Sequence, residues 1–409
     1  MRIAILTQYF EPEIGAPQVR YTNFINQLKE NNCKIEVVTG MPNHPVGEIY
    51  NGYKGCFYKK EIQSNLVIHR VWLYASTGKS LKRLFSYLSF CITSIYGLLK
   101  IKKPQFLIVE SPPLFIGITA ICYSKIFNVP YIFNVADLWP DSILEMKMIK
   151  KGFFYLCLLW IEKYIYKNAK YVNAVTVGIK YKLINQKKVN PKKILFLPNG
   201  VDTDIFNPNK DKNDQILSKL GLQDKKIIIY AGTIGYAQNL DILLLASKQL
   251  ESTHPDIVTI IIGDGPEKPR LLKLLKKESI RNVYFLESGT YQYVAKLMSL
   301  SWAGFVSLRD IELFYGARPS KLFPIMSSAL PVILSAKGES ADLIEKAKAG
   351  VISAPDDVDD LVRNIKYLYS LNDNTFGING RNYVIKYLSW KKIVKEWLEE
   401  LNKRNKDDK

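Results

Sequence analysis

KIIIYAGTIGYAQNLDILLLA, residues 226–246, reads as a strand, a glycine-bearing turn and a helix in direct succession. Lys226 to Gly232 is an apolar, partly β-branched run without polar alternation, the pattern of a strand covered on both faces. Gly232 and Gly235 break the run, and helical spacing of apolar residues begins after Asn239. The pattern returns in VTIIIG (258–263), the turn Gly263-Asp264-Gly265, Pro266 and the helical PRLLKLLKKES. NVYFLE (282–287), AGFVSL (303–308), LPVILS (330–335) and AGVISA (349–354) continue it. Strands alternating with helices imply a parallel sheet with helices on both faces.

The same alternation runs upstream, with strands expected at RIAIL (2–6), KIEVVT (34–39), NLVIHRV (65–71), QFLIVE (105–110), YIFNVA (131–136), YVNAVTV (171–177) and ILFLP (194–198). Between the two sets lies LPNGVDTDIFNP (197–208), whose Pro198, Asn199 and Gly200 form turns and whose Pro208 closes the segment. The expectation is an α/β protein of two doubly wound domains facing a cleft, 1–198 and 205–385. The final stretch, 386–409, is expected to be a helix crossing back to the first domain. Ligands in such sheets sit outside the carboxyl ends of the strands.

Charge divides the chain at the same place. Residues 1–200 hold 27 Lys and Arg against 11 Asp and Glu, whereas the remainder is almost neutral within an overall +19. A basic first half points to an anionic partner: lipid headgroups, nucleic acid or a phosphorylated substrate. LFSYLSFCITSIYGLL (84–99) is apolar and flanked by Lys82, Arg83, Lys100, Lys102 and Lys103. It is shorter than the roughly 20 residues of a membrane span and fits either a core helix or a basic-rimmed face resting on anionic lipid. The opening MRIAILTQYF reads as a strand rather than a signal peptide. Five cysteines without a C-x-x-C pair and three scattered histidines fit a reducing cytoplasm and a metal-free protein.

Candidate site residues fall at the strand ends. Gly15, with Ala16, makes a small-residue turn after the first strand, where backbone can approach a ligand. Asp137 and Trp139 follow the YIFNVA strand, an acid and an aromatic suited to sugar hydroxyls; a turn or cap role for Asp137 is the alternative. The turns at Gly232, Gly235 and Gly263-Asp264-Gly265 leave amides open to an anion. Neither turn matches G-x-G-x-x-G or G-x-x-x-x-G-K-[ST], which weighs against dinucleotide binding and ATP hydrolysis. Ser320 and Lys321 open an apolar helix, where a lysine is electrostatically misplaced unless an anion joins it. Asp202-Thr203-Asp204 and the acidic run at 356–360 read as turn and helix-start chemistry.

In family order, YFEPEIGAP, LPNGVD, YAGTIGYAQNLDILLLA, IIGDGP, the PSK-led helix with LPVI, and GES-ADLIE-KAKAGV together resemble glycosyltransferase family 4 over nearly the whole chain. The D-L-W-P at 137–140, the glutamine at 238 and the PSK at 319–321 resemble its L-fucosamine-transferase-like branch of O-antigen and capsule enzymes. The resemblance implies a GT-B fold of two Rossmann-like domains and metal-independent, cofactor-free transfer with retention. The donor would be a UDP-sugar carrying an N-acetylated hexosamine such as L-FucNAc. The acceptor would be a polyprenyl-diphosphate-linked glycan at the anionic inner leaflet. The protein would be cytoplasmic and peripheral on the membrane, with no nucleic acid partner.

On this view Lys321, Ser320 and the amides near Gly232 stabilise the diphosphate, and Gly263 and Asp264 contact the nucleoside. Gly15 lies on the sugar side, and Asp137 with Trp139 on the acceptor side. The chain departs from the family where Ala136 replaces a histidine, Thr233 and Gln238 replace an arginine and a lysine, and Gly316 and Pro324 replace paired glutamates. Glu312 or Glu339 is the candidate replacement for the ribose-holding carboxylate. Two competing readings are a nucleotide-sugar 2-epimerase of the same fold and a non-catalytic membrane-binding homologue.

Overall fold

The computed structural model of the chain describes residues 1–13, 16–44, 46–63, 66–76, 81–145, 149–208, 215–371 and 373–407. They form two compact units, Met1–Asn199 with Ile393–Lys409, and Gly200–Lys392. The junctions fall at Asn199–Gly200 and at Ile393 inside the last helix.

In the first unit β1 (Arg2–Leu6), α1 (Ala16–Glu30) and β2 (Lys34–Gly40) are followed by the pair β3 (Tyr58–Gln63) and β4 (Leu66–Val71). Next come α2 (Leu81–Lys100), β5 (Phe106–Ser111), α3 (Ile116–Phe127) and β6 (Tyr131–Val135). The series ends with α4 (Asp141–Glu145), α5 (Phe153–Asn168), β7 (Tyr171–Ala174), α6 (Val177–Asn185) and β8 (Ile194–Phe196). The sheet order is β3-β4-β2-β1-β5-β6-β7-β8, parallel throughout except that β3 runs against β4. Every residue of β5, β6 and β7 is buried, which is why these strands read as apolar runs interrupted only by Glu110, Ser111, Asn134 and Asn173.

Two differences from the sequence reading have local causes. YVNAVTV stops being a strand at Ala174 because the Thr176 hydroxyl accepts the Ile179 amide at 3.1 Å and caps α6. YKKEIQ (58–63) carries no apolar run, and only its ladder to β4 makes it a strand. Lysines at 59 and 60 suit a sheet edge, where charge discourages further pairing.

In the second unit α7 (Gln215–Leu220), β9 (Lys226–Ala231), α8 (Asp241–Leu250), β10 (Ile257–Ile262) and α9 (Lys268–Lys277) come first. β11 (Val283–Leu286), α10 (Tyr291–Ser299), β12 (Ala303–Ser307), α11 (Leu322–Ser327) and β13 (Val332–Ser335) follow. α12 (Glu339–Ala347), β14 (Gly350–Ser353), α13 (Val358–Ser370) and α14 (Thr375–Tyr387) close the unit. The sheet order β11-β10-β9-β12-β13-β14 is wholly parallel. It is the 3-2-1-4-5-6 order of doubly wound nucleotide-binding domains.

The last helix, α15 (Trp390–Asp407), belongs to the first unit from Ile393 onward. Trp397 is fully buried there, its indole Nε1 donating to Asn173 Oδ1 at 3.0 Å and its ring meeting Phe24 edge-on. Arg404 donates to the Lys192 carbonyl at 2.6 Å.

α3 lies between α2 and α5 on the first sheet. Tyr87, Phe90, Ser94 and Leu98 turn α2 inward, while Phe85, Leu88, Ile92 and Leu99 are exposed, Ile92 by 69%. α5 likewise exposes Phe153, Leu156, Trp160 and Tyr164, with Phe153 83% and Trp160 66% accessible. Among the described residues no helix is long and apolar enough to cross a membrane.

Candidate functional site

In the second unit the strand order reverses between β9 and β12, so the loops leaving β9 and its neighbours define the ligand edge of the sheet. The loops after β9 and β10 are laced together by three hydrogen bonds. Gly232 N–H donates to Ile262 O at 2.9 Å, Ile234 N–H to Asp264 O at 2.9 Å, and Glu267 N–H to Ile234 O at 3.1 Å. The contact is tight enough to demand glycine: Gly263 has φ +146°, and a Cβ on it would stand 2.0 Å from Gly232 O.

This lacing corrects one expectation. The Gly232 amide is spent on the β10 strand end and is not open to an anion. The Thr233 amide, next to it, donates to no described residue and is left for a ligand. Gln238 turns inward, its Oε1 accepting the Gly235 amide at 3.1 Å, so it closes the turn at 236–238. Thr233 and Asp264 are exposed, whereas Gly263 is buried under the first loop.

Lys321 crosses this loop. Its Cε would lie 2.9 Å from a Cβ on Gly232, and its ammonium sits 4.9 Å from the centre of the Tyr230 ring. Among the described residues it has neither an ion pair nor a hydrogen bond. Loss of water without a compensating carboxylate pulls its pKa down from 10.5 to about 8. A lysine held in this way lacks an anion. Ser320 beside it is exposed. α11 is only a six-residue helix, so the charge of Lys321 carries the anion site, not the helix end.

Glu339, at the start of α12, is tied to Arg318 by a 2.6 Å ion pair in which both partners are largely buried. Arg318 Nε has no partner among the described residues. Sequence reasoning passed over Arg318 and Tyr230; the first was legible only as part of an A-R-P-S-K turn, the second only as strand core. Pro324 lies within α11 and offers no carboxylate, and a Cβ on Gly316 would meet open space.

In the first unit, Gly15 lies outside the described residues. Asp137 is partly buried in the loop after β6, and burial raises its carboxyl pKa against the opposing pull of the Ser142 hydroxyl, the Leu138 amide and Lys182. Trp139 is placed differently from expectation. It is buried with the core and meets Phe115 edge-on at 5.6 Å, so its ring is packing rather than an open platform for a sugar.

Behind this loop Lys187 bonds Asp141 Oδ2 and Glu162 Oε2, each at 2.7 Å. Tyr155 donates to Asp141 at 2.8 Å and Tyr166 to Glu162 at 2.9 Å. Burial dominates at Glu162 and lifts its pKa to about 7 despite the ammonium, while the two carboxylates raise that of Lys187.

Two Rossmann-like units, one with an unneutralised lysine over glycine-tightened strand ends, define a GT-B glycosyltransferase architecture. Residues 212–387 match the family described as "Glycosyl transferases group 1", and residues 18–205 match "Glycosyltransferase Family 4". The chain belongs to glycosyltransferase family 4 and is a glycosyltransferase. It is 24% identical to WcaI of Escherichia coli K12, whose name places it among glycosyl transferases of colanic acid biosynthesis, over 98% of this chain and all of that one. It is 22% identical to the Escherichia coli UDP-Gal:alpha-D-GlcNAc-diphosphoundecaprenol alpha-1,3-galactosyltransferase, over 74% of this chain and 76% of the other. Anabaena HepE, solved in complex with UDP, superposes with a TM-score of 0.73 at 14% identity, over 98% of this chain and all of that one.

Proposed function

We propose that this enzyme moves a sugar, with retention of anomeric configuration, from a UDP-sugar to a polyprenyl-diphosphate-linked glycan in O-antigen, capsule or exopolysaccharide synthesis. The transferred sugar in this reading is an N-acetylated hexosamine of the L-FucNAc kind. The observation that carries it is Lys321, a half-buried cation with neither an ion pair nor a hydrogen bond among the described residues, at the strand ends where a donor diphosphate would lie. As the glycosidic bond to the donor breaks, negative charge gathers on the diphosphate, and a preorganised ammonium in a dry site stabilises that charge strongly. Thr233 N–H and Ser320 are the neutral donors beside it. In this reading Gly263 and Asp264 line the nucleoside end, and Glu339, paired with Arg318, supplies the ribose carboxylate that Pro324 lacks. No step calls for a metal or another cofactor.

Asp137 is assigned to the acceptor, its raised pKa suiting a group that shares a proton with a sugar hydroxyl. The names of the galactosyltransferase and of WcaI support a lipid-linked acceptor and surface polysaccharide synthesis. The exposed apolar rows of α2 and α5, within a half of the chain that is strongly basic, support peripheral seating on an anionic leaflet. The test is a set of nucleotide sugars screened for protection against thermal unfolding, followed by transfer from the best of them to an undecaprenyl-diphosphate-linked sugar. Protection by UDP-sugars and a glycosylated lipid product are expected. A nucleotide sugar converted to its 2-epimer in the absence of acceptor would overturn the reading.

A further inference from the structure

The loop 232–238 has a cation at each end. Lys321 passes Gly232, and Arg309, the second residue after β12, grips the other end. Arg309 N–H donates to Ala237 O at 2.9 Å, and its Nε donates to Tyr236 O at 2.8 Å. Its guanidinium lies 4.3 Å from the centre of the Tyr236 ring. These contacts fix the plane of the fork while leaving both terminal nitrogens without a partner among the described residues.

Two neighbouring carboxylates are committed to other cations, and a third, Asp356, accepts the Asp310 amide at 3.3 Å and the Asn239 side-chain amide. Asp241 takes Arg270 through two bonds of 2.6 and 2.7 Å. Asp310 holds Lys337 at 2.7 Å and also accepts the Tyr315 hydroxyl. Arg309 is therefore a positioned guanidinium with no ion pair among the described residues, feeling Asp241 only as a more distant charge, whereas a solvated surface arginine would have no such anchoring. A nucleoside diphosphate brings more than one negative charge, Lys321 answers one, and no side chain of loop 232–238 is basic. A guanidinium fork suits phosphate oxygens, which it can hold through two parallel bonds.

We propose that Arg309 is a second diphosphate-binding residue of the donor site, clamping the phosphates from β12 across the loop from Lys321. The proposal rests on the nucleotide-sugar reading above and adds a residue to it. Calorimetric titration of the full chain with UDP, UMP and uridine tests it. In Arg309→Ala, UDP affinity is expected to fall at least about tenfold, the scale of losing a hydrogen bond between charged groups. UMP should lose less and uridine nothing, with part of the UDP affinity restored in Arg309→Lys.

Unchanged UDP affinity in Arg309→Ala overturns the proposal. So does an equal loss for uridine, which would make Arg309 a scaffold for the Tyr236 turn. A raised KM for the lipid-linked acceptor with unchanged UDP affinity also overturns it, since the guanidinium would then serve the acceptor's diphosphate. If the wild-type chain binds no UDP, the donor reading itself fails and the role of Arg309 with it. Loss of UDP binding in Lys321→Ala but not in Arg309→Ala sinks this inference alone.

Discussion

Lys321 and Gly232 form a single contact: the lysine occupies the space a side chain on the glycine would need, with Cε 2.9 Å from the Cβ position. Gly232 also has φ +145°, a conformation that side chains rarely adopt. Gly232→Ala therefore strains the loop and displaces the ammonium together. It is expected to lower transfer about as far as Lys321→Ala, by ~10²-fold or more, the scale of losing a preorganised leaving-group stabiliser. Single-turnover rates on saturating donor check this. Wild-type turnover in purified Lys321→Ala would remove the lysine from the mechanism.

The depressed pKa of Lys321 sets a pH dependence with a definite sign. Below about pH 8 the ammonium is charged and attracts a diphosphate; above it the free protein loses the proton and the attraction. UDP affinity is expected to be level below about pH 8 and to weaken as pH rises from there toward 10. Lys321→Arg, which stays charged, should show no such fall. The same shift predicts the stability of the ligand-free chain. A folded-state pKa below the unfolded value means that the unfolded chain binds the proton more readily between about 8 and 10.5, so wild-type stability gains on that of Lys321→Met over that window. Near neutral pH the methionine variant should melt higher, the usual cost of a poised functional group. Parallel melting curves from pH 7 to 10 measure both trends.

Much of this arrangement was legible in the sequence. Buried parallel strands leave apolar runs that need no partner to be recognised, and glycines between a strand and a helix marked the loops that meet at Gly263. β3 was not legible, because its polar residues become a strand only through pairing with β4. Nor were the roles of Gln238 and Trp139. Whether a glutamine faces a ligand or closes its own turn, and whether a tryptophan faces a sugar or Phe115, depends on torsions and on packing across the fold. Lys321 was found because its position violates a local electrostatic rule. Arg309 violates none, and it stands out only once Asp241 and Asp310 are seen to be taken.

Glu162 gives an independent check on the first unit. Its folded-state pKa of about 7 lies above the 4.5 of an ordinary glutamate, so the folded chain retains a proton that the unfolded chain has released. The linkage makes wild-type stability fall relative to Glu162→Gln as pH rises from about 4.5 to 7, and then level off. Urea midpoints for the two proteins across pH 5–8 should converge or cross in that direction. A constant difference would mean that Lys187 keeps Glu162 ionised throughout, as an ion pair stronger than its burial penalty.

The proposed membrane seating makes a prediction about the rows on α2 and α5. Phe153 and Trp160 are among the most exposed apolar side chains of the first unit, and the Trp160 and Tyr164 rings stack at 5.5 Å on the open surface of α5. Leaving such rings in water is unfavourable, and burying one fully is worth roughly 1.5–3 kcal/mol. Replacing Phe153 and Trp160 by serine should therefore lower partitioning onto vesicles containing anionic lipid by at least about tenfold. The basic half of the chain adds an electrostatic part that salt screens, so wild-type sedimentation with those vesicles should also weaken at high ionic strength. The two parts are separable, because the serine variant should keep the salt dependence while losing affinity. UDP binding should be unchanged in that variant, since neither ring belongs to the unit that carries Lys321. Binding to neutral vesicles equal to that on anionic ones would discard the charge argument, and wild-type sedimentation by the double serine variant would move the membrane face elsewhere.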